Sequence, residues 1–188
     1  EKGSTASAKN EFVNALKYDP QHIPSLYSLG IIYMKNEDSD DAASNFKAIL
    51  EIDPDNHDAH YNMGLLYYKD EKYDDAITEF KEALDKRNDN ADIYYNMGLA
   101  YFKKKLFEDA ISSFKNTLNT KNKHVDALHE LGNSYNSIGN HEKAISLFNK
   151  VLTLSPKNAT CYFHLGNAYR ADKKRNEAHS AYKKAIEI

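Results

Sequence analysis

The fold is decided by a stretch of sequence that the chain repeats. Residues 94–114 read YYNMGLAYFKKKLFEDAISSF, and residues 60–80 read HYNMGLLYYKDEKYDDAITEF. The two stretches begin 34 residues apart, and each places one glycine inside an apolar run, followed by a polar turn and then an alanine. Because similarity at a fixed interval of this length is typical of repeat architectures, the same pattern is expected along the rest of the chain.

Four columns of residues recur at this interval. Five of the seven glycines form the first column, at Gly30, Gly64, Gly98, Gly132 and Gly166. A tyrosine follows each glycine by three residues, at Tyr33, Tyr67, Tyr101, Tyr135 and Tyr169. An alanine follows by twelve residues and an aromatic ring by sixteen, at Ala42 and Phe46, Ala76 and Phe80, Ala110 and Phe114, Ala144 and Phe148, and Ala178 and Tyr182. Since the residues around each glycine and each alanine follow a helical period, each interval predicts a hairpin of two helices.

Small residues and prolines indicate how such a hairpin forms. A glycine inside a helix costs up to about 1 kcal/mol relative to alanine, so a column of glycines indicates close packing of two helices. We expect the tyrosine and phenylalanine columns to fill the space on either side of this contact. Pro20, Pro54 and Pro156 are expected to end second helices, because proline cannot continue the helical hydrogen bonds. Asn88 and Asn122 occupy the equivalent places.

The repeated unit resembles the tetratricopeptide repeat, through Leu29-Gly30, Tyr33, Ala42, Phe46 and Pro54. The resemblance covers the whole chain and implies an all-α fold, a right-handed superhelical solenoid of antiparallel helix hairpins. It divides the chain into five repeats at residues 23–56, 57–90, 91–124, 125–158 and 159–188, the last cut just short of its end. The family opens each unit with an aromatic residue or leucine, found here at Leu26, Tyr94, Leu128 and Tyr162, whereas His60 departs from this pattern.

Both ends of the chain match incomplete repeats. Residues 1–22, with Ala8, Phe12 and Pro20, match the second helix of a preceding repeat whose first helix is missing. At the other end, Ile188 closes a second helix without a polar capping helix after it. Repeat arrays need terminal units with a polar outer face for solubility. We therefore expect a piece of a longer repeat protein whose two ends expose apolar surface that can pair with each other or with a neighbour.

Composition argues against several classes of function. The net charge is −3, so no overall basic field favours nucleic acid, and lysines 103–105 are interpreted as the end of a helix followed by a turn. The single cysteine, Cys161, excludes an internal disulfide and fits a reducing compartment. The longest apolar run, near residues 29–34, is far shorter than the roughly 18 residues of a membrane span. No charged-then-apolar leader opens the chain. We expect a cytoplasmic protein that neither inserts into membranes nor binds nucleic acid.

The resemblance implies that the first helix of each unit lines a concave groove. Residues three before, one after and four after each glycine share one face of that helix. The first three repeats place mainly aromatic and aliphatic residues on this helix face, and a contiguous apolar surface usually marks a binding site. The predicted partner-binding residues are Tyr27, Ile31, Met34, Tyr61, Asn62, Leu65, Tyr68, Tyr95, Asn96, Leu99, Phe102, His129, Asn133, Phe163 and Asn167. Two alternatives remain open: another segment of the protein covers this surface, or the rings pack between repeats.

Side chains suited to catalysis or metal binding are sparse. Cys161 and His164 share a helix face and could form a thiol–imidazole pair, but the repeat usually keeps a small packing residue at the position of Cys161. His57 and His60 could share a metal ion, although two ligands do not make a site. The acidic stretch at residues 36–41 lacks the glycine that a calcium loop needs. We expect no catalytic activity, no metal and no cofactor.

Three functions follow from this sequence. We favour a non-catalytic protein–protein interaction scaffold that binds a partner peptide or helix in the groove. The second is the substrate-recruiting arm of a larger enzyme. The array resembles that of the O-linked N-acetylglucosamine transferase, whose asparagines two residues before the glycine correspond here only to Asn62 and Asn96. The third is a spacer or a self-assembling array.

The family's clamp for chaperone C-terminal tails is not expected in this chain. That clamp needs a lysine three residues before the glycine of one repeat. In the five units this position holds Tyr27, Tyr61, Tyr95, His129 and Phe163. We therefore predict no binding of chaperone tails.

Overall fold

The computed structural model describes residues 2–85 and 90–188, with side chains described for residues 7–85 and 90–188. Within these residues every regular element is an α-helix, and eleven helices pack in consecutive pairs. The predicted all-α solenoid of helix hairpins is therefore confirmed. Asn88, which was expected to end a second helix, lies outside the described residues. The chain divides into two compact units, unit 1 (Glu1–Asn88) and unit 2 (Asp89–Ile188).

Unit 1 contains five helices, each packed against the next along the chain. They are α1 (Lys2–Tyr18), α2 (Ile23–Lys35), α3 (Ser39–Ile52), α4 (His57–Lys69) and α5 (Tyr73–Asp85). The central buried cluster consists of Leu26, Ala42, Phe46, Ile49, Ala59, Met63 and Leu66. Pro20 and Pro54 each follow the last residue of a helix by two positions, so they end α1 and α3 as predicted.

Unit 2 contains six helices, again each packed against the next, and its first helices α6, α8 and α10 also contact one another in sequence. The helices are α6 (Ala91–Lys103), α7 (Phe107–Thr120), α8 (Val125–Ser137), α9 (His141–Leu154), α10 (Ala159–Ala171) and α11 (Arg175–Glu187). The buried cluster is Ala110, Ile111, Phe114, Leu128, Leu131, Tyr135, Ala144, Phe148, Val151, Cys161, Leu165, Ala168 and Ala181. Pro156 follows α9, and Asn122 lies in the turn between α7 and α8.

Capping side chains fix the beginnings of four of the five first helices, whereas α2 has no side-chain cap. In α4, α6, α8 and α10, the residue before the helix accepts a hydrogen bond from a backbone N–H of the first turn. These capping residues are Asn56, Asn90, His124 and Asn158. Because such a cap satisfies a helical N–H that otherwise lacks a partner, it defines where the helix starts. The division into five repeats at the limits given above stays a prediction.

Each glycine of the repeated column lies against an aromatic ring of the second helix in its own hairpin. A Cβ on Gly98 would lie 2.6 Å from Cε1 of Phe114, far inside van der Waals contact. The other four pairs show the same contact at 2.5–2.7 Å: Gly30 with Phe46, Gly64 with Phe80, Gly132 with Phe148, and Gly166 with Tyr182. The close packing expected for the glycines is therefore present. The ring occupies the space of the missing side chain itself, and does not flank it.

The turns inside the hairpins share one backbone conformation. Residues Glu37, Glu71, Lys105 and Lys173 have φ angles of 60–66°, and Gly139 has a φ of 82°. The residue after each of them donates its N–H to the carbonyl of the column tyrosine, as from Asp38 to Tyr33 at 2.9 Å. This bond closes the end of the first helix. Lysines 103–105 accordingly end α6 and form its turn, as predicted.

Candidate functional site

The predicted groove residues of unit 1 lie on α2 and α4. In each repeat, we call the residues three before, one after and four after the column glycine the inner row. In unit 1 the inner row is Tyr27, Ile31, Met34, Tyr61, Leu65 and Tyr68, and all six side chains are partly buried. Tyr27, Ile31 and Met34 pack against the central buried cluster of the unit. The side chains of the inner row are therefore partly packed into the core and partly accessible.

The tyrosines of this row rest on the same phenylalanines that cover the glycines. The ring of Tyr27 meets Phe46 edge-on, with centroids 6.0 Å apart, and Tyr61 meets Phe80 at 6.0 Å. Such edge-to-face and tilted pairs are worth about 0.5–1.5 kcal/mol beyond area burial. Since each phenylalanine is fully buried, the tyrosine above it is held in place before any partner arrives.

Unit 2 repeats this arrangement with a more polar inner row. Tyr95 packs on Phe114 at 5.9 Å and also stacks on the capping residue His124 at 4.9 Å. His129 takes the equivalent place over Phe148 at 5.6 Å, and Phe163 lies over Tyr182 at 5.9 Å. The remaining members are Leu99, Phe102, Asn133, Asn136, Asn167 and Arg170. Phe163 is 51% exposed, which makes it the most accessible large apolar side chain among the predicted groove residues.

Two inner-row rings at the ends of first helices are supported by the following helix. Tyr68 meets Tyr73, the first residue of α5, with ring centroids 5.5 Å apart. Phe102 meets Phe107, the first residue of α7, at 5.4 Å. Both pairs are T-shaped, a geometry that aromatic pairs prefer. These contacts bridge the hairpin turn and orient both rings.

The predicted asparagines are engaged within the protein. Asn62 is only 4% exposed, and its amide donates to the carbonyl of Asp58 at 2.7 Å. Asn96 donates to the carbonyl of Asp92 at 2.9 Å, and Asn167 accepts from the hydroxyl of Tyr182 at 2.9 Å. These hydrogen bonds engage side-chain amide groups that a row of asparagines along the groove would otherwise offer to the backbone of a bound peptide. The likeness to the transferase array thus gains no support from the geometry.

A titratable cluster lies among the predicted groove residues of unit 2. The imidazoles of His129 and His164 meet at a right angle with centroids 4.9 Å apart. Glu130 accepts from Asn133 at 3.1 Å and lies 3.4 Å from Nδ1 of His129. Burial raises the pKa of Glu130, but these hydrogen bonds outweigh it and hold the pKa below its usual value. Burial and the neighbouring His129 lower the pKa of His164. The cluster thus favours a carboxylate beside a neutral His164.

His60, the residue that departs from the family pattern, forms a partly buried contact in unit 1. Its Nδ1 lies 2.7 Å from Glu79, and its Nε2 lies 2.9 Å from the carbonyl of Pro54. Burial lowers the pKa of His60, yet the hydrogen bonds to Glu79 and Pro54 outweigh burial and raise the pKa overall. Both ring nitrogens are occupied, so His60 does not share a metal ion with His57 in this arrangement.

The thiol–imidazole pair considered for Cys161 is not supported by the site chemistry. Cys161 is fully buried, and its thiol points to the carbonyl of Phe148 at 3.5 Å. Burial raises the pKa of the Cys161 thiol to about 12. Because the thiolate is the reactive form, this cysteine has the character of a packing residue.

Two further properties of the described residues bear on ligands and membranes. Residues 2–85 and 90–188 contain no group of three His, Cys, Asp or Glu side chains arranged to hold a metal ion. In the same part of the chain, no helix has the length and apolar character needed to cross a membrane.

Comparisons with known families agree with the geometry of the hairpins. A model of the TPR repeat matches residues 32–71 and 65–105, and a model of the tetratricopeptide repeat matches residues 89–157 and 124–188. The matches extend over more than half of the chain. The chain belongs to the tetratricopeptide repeat family. A comparison with curated proteins gave no match.

Several solved structures are similar to this chain. A crystal structure of MamA protein shares 28% identity over 88% of this chain and 90% of that one, with a TM-score of 0.83. A second MamA crystal structure shares 30% identity over 85% of this chain and 93% of that one, with a TM-score of 0.81. YrrB, a TPR protein with an unusual peptide-binding site, shares 22% identity over 94% of this chain and 91% of that one. Its TM-score is 0.85, and at this identity it shows the fold alone.

Sequence reasoning missed the contacts that hold the inner row in place. The stacking of His124 on Tyr95 depends on a capping residue 29 positions further along the chain (124 − 95). The pairing of Tyr68 with Tyr73 and of Phe102 with Phe107 had a visible signal, since both pairs are five residues apart across a turn. A column-by-column comparison of second-helix starts would have found it.

Proposed function

We propose that the chain is a protein-interaction scaffold that binds a peptide or helical segment of a partner along its inner rows. Membership of the tetratricopeptide repeat family supports a role in protein interaction, and arrays of this family are in general non-catalytic scaffolds. YrrB is a relative in fold with a peptide-binding site. Binding in the groove is the more specific part of the proposal, and it is argued from the side chains of the inner rows.

One observation carries the proposal. Six tyrosine and phenylalanine rings of the inner rows, all at least partly exposed, are each held by a second ring: Tyr27 by Phe46, Tyr61 by Phe80, Tyr68 by Tyr73, Tyr95 by Phe114, Phe102 by Phe107, and Phe163 by Tyr182. Binding costs less when side chains are ordered in advance, because their rotamer freedom is not lost on association. Rigid aromatic rings are also the side chains that most often dominate interface energies.

The test compares the native chain with a Tyr61→Ala, Tyr95→Ala double variant. The control is Tyr18→Ala, because Tyr18 is 92% exposed on α1, outside the inner rows. Proteins captured from source-cell lysate are identified by mass spectrometry, and the dissociation constant of the purified partner is then measured by calorimetry. We expect the double variant to lose about 2 kcal/mol or more of binding, roughly 30-fold. The control should bind normally.

Equal helicity of the three proteins by circular dichroism is required for the comparison. A partner that binds the double variant as tightly as the native chain would contradict the proposal. In that case the binding surface lies outside the inner rows, and the predicted residue set is wrong.

A further inference from the structure

A second groove in unit 2 lies outside the inner rows. It has a volume of 620 Å³ and runs along α10 between α9 and α11. Its floor is Tyr162, Leu165 and Tyr169 of α10, and its apolar walls are Leu152 of α9 and Ala181 of α11. We call it the outer groove. It combines a continuous apolar floor with an open, polar rim.

The outer groove and the inner row occupy different faces of α10. The floor residues lie four before, one before and three after Gly166, whereas the inner row lies three before, one after and four after it. At about 100° per residue, the centres of these two faces are roughly 130° apart around the helix. A partner in the outer groove would therefore contact a surface that the proposed function does not use.

At three positions, on α9 and α11, the lining of the outer groove carries smaller side chains than the equivalent positions one repeat earlier. Leu147 stands 34 residues before Ala181 and packs against the buried cluster of unit 2. Lys115 and Lys143, at the positions equivalent to Asn149 and Glu177, lie over the ring of Tyr135 at 5.8 Å and 5.1 Å. In the outer groove alanine, asparagine and glutamate replace this leucine and both lysines, so the corresponding space stays open.

The two charged residues that line the outer groove, Glu177 and Lys184, have opposite signs and lie toward its two ends. Lys184 lies over the ring of Tyr162 at 5.5 Å, which places a cation at one end. The N–H of Lys174 bonds to the carbonyl of Tyr169 at 2.9 Å, which places the start of α11, with Glu177 in its first turn, at the other end. Seven residues of helix separate Glu177 from Lys184, a distance of about 10.5 Å.

We propose that the outer groove is a docking site for an amphipathic helix of a partner protein. The apolar stripe of that helix packs on Tyr162, Leu165 and Tyr169. A basic residue of the helix lies near Glu177, and an acidic residue seven positions away lies near Lys184. A helix is the fitting occupant because its backbone groups are already paired, while groove walls made of helices offer no backbone edge to an extended chain. Residues i and i+7 of such a helix span the same 10.5 Å or so as the two charges.

The test uses the full chain and two labelled synthetic peptides of about 15 residues, long enough to form a helix on binding. Both carry leucine at i, i+3, i+4 and i+7. The mixed-end peptide has lysines at one end and glutamates at the other, and the acidic-end peptide has glutamates at both. Binding is measured by fluorescence anisotropy. We expect the mixed-end peptide to bind the native chain, and the acidic-end peptide to bind roughly two- to five-fold more weakly, as exposed ion pairs allow.

Variants of α11 assign the binding to the outer groove. Ala181→Leu, which installs the leucine found at position 147, and Ser180→Trp, at an exposed rim position, should each weaken the mixed-end peptide at least tenfold. Ser112→Leu, an equivalent exposed position on α7, is the matched control and should leave binding unchanged. Glu177→Lys should reverse the preference between the two peptides. Circular dichroism checks that the variants keep their helices.

Several results would overturn the proposal. They are the absence of binding to the native chain, binding unaffected by both Ala181→Leu and Ser180→Trp, and an equal loss with Ser112→Leu. A loss caused by Phe163→Ala but not by the α11 variants would place the peptide on the inner row, and would also contradict this inference while supporting the proposed function.

Discussion

At the scale of single residues, the contact between glycine and ring is what closes each hairpin. Gly98 has no side chain, and the ring of Phe114 occupies the space where a Cβ would lie. Phe114 is fully buried and cannot swing into solvent. A methyl group at position 98 must therefore displace either the ring or a helix.

Gly98→Ala is expected to destabilise unit 2, and Gly98→Leu more so. Overpacking of this kind costs about 1–3 kcal/mol, which outweighs the gain of up to about 1 kcal/mol from replacing a helical glycine by alanine. The measurement is the free energy of unfolding in urea. Adding Phe114→Leu to Gly98→Ala should recover part of the loss, because it removes the opposing ring. A melting curve unchanged by Gly98→Leu, or strict additivity of the two changes, would contradict this account.

The histidines His60 and His164 should titrate on opposite sides of the ordinary value. The pKa of His60 is raised, so the stability that its contact with Glu79 contributes is present below the unfolded pKa of 6.5 and lost as pH rises through the folded pKa. The pKa of His164 is lowered. The stability contributed by burying its neutral form is therefore present above the unfolded pKa of 6.5 and lost as pH falls through the folded pKa. NMR titration of the two imidazoles measures both directly.

Glutamine variants supply the control for these titrations. His60→Gln should remove the loss of stability on the alkaline side, and His164→Gln should reduce the loss on the acidic side. If the NMR pKa of His164 lies above that of His60, the burial argument for His164 or the ion-pair argument for His60 is wrong.

At the scale of elements, the turn inside each hairpin needs a left-handed residue. Among the five hairpin turns within the described residues, one uses glycine, at Gly139, and charged residues adopt the positive φ in the other four. A residue with a Cβ pays about 1–2 kcal/mol for this conformation, partly offset because glycine loses more freedom on folding.

Exchanges at this position should therefore act in opposite directions. Lys105→Gly is expected to raise the free energy of unfolding by roughly 0.5–1 kcal/mol, and Gly139→Ala to lower it by about 1 kcal/mol. Urea unfolding followed by circular dichroism measures both. Lys150→Gly, at an exposed position inside α9, is the control and should destabilise as an ordinary helical glycine does. A stabilising Gly139→Ala would show that the turn relaxes to another conformation.

The sequence predicts helices better than it predicts side-chain contacts. The columns of glycine, alanine and aromatic residues predict hairpins because a helical period recurs on both sides of a turn at a fixed interval. Pro20, Pro54 and Pro156 mark helix ends through their missing N–H. The placement of Tyr95 between Phe114 and His124, by contrast, depends on how far one hairpin is rotated against the next. A column pattern carries no information on that rotation.

At the scale of the whole molecule, the two units differ in the chemistry of their inner rows. Unit 1 presents tyrosine, isoleucine, methionine and leucine, and unit 2 adds histidine, asparagine and arginine. The identity of each row could be predicted from position alone. The accessibility of the row could not be predicted in this way, because Tyr61 is partly buried while Phe163, at the same position of its repeat, is 51% exposed.

A peptide ending in EEVD, which represents the chaperone C-terminal tails considered in the sequence analysis, should not bind this chain. Recognition of its clustered carboxylates requires cations in the groove, and no lysine stands three residues before any column glycine. Calorimetry with the free peptide is expected to show no measurable heat of binding. A partner peptide found by lysate capture serves as the positive control, and tight binding of the EEVD peptide would overturn this prediction.

The buried thiol of Cys161 also has a practical consequence. Because burial raises its pKa to about 12 and leaves no exposed surface, this thiol should not react with maleimides or other thiol reagents in the native state. A cysteine introduced at Phe163 or Ser180 would then be the single reactive site, so a fluorophore or spin label can be attached to either groove without first removing the native cysteine. Slow labelling of Cys161 itself would serve as a clock for the opening of unit 2.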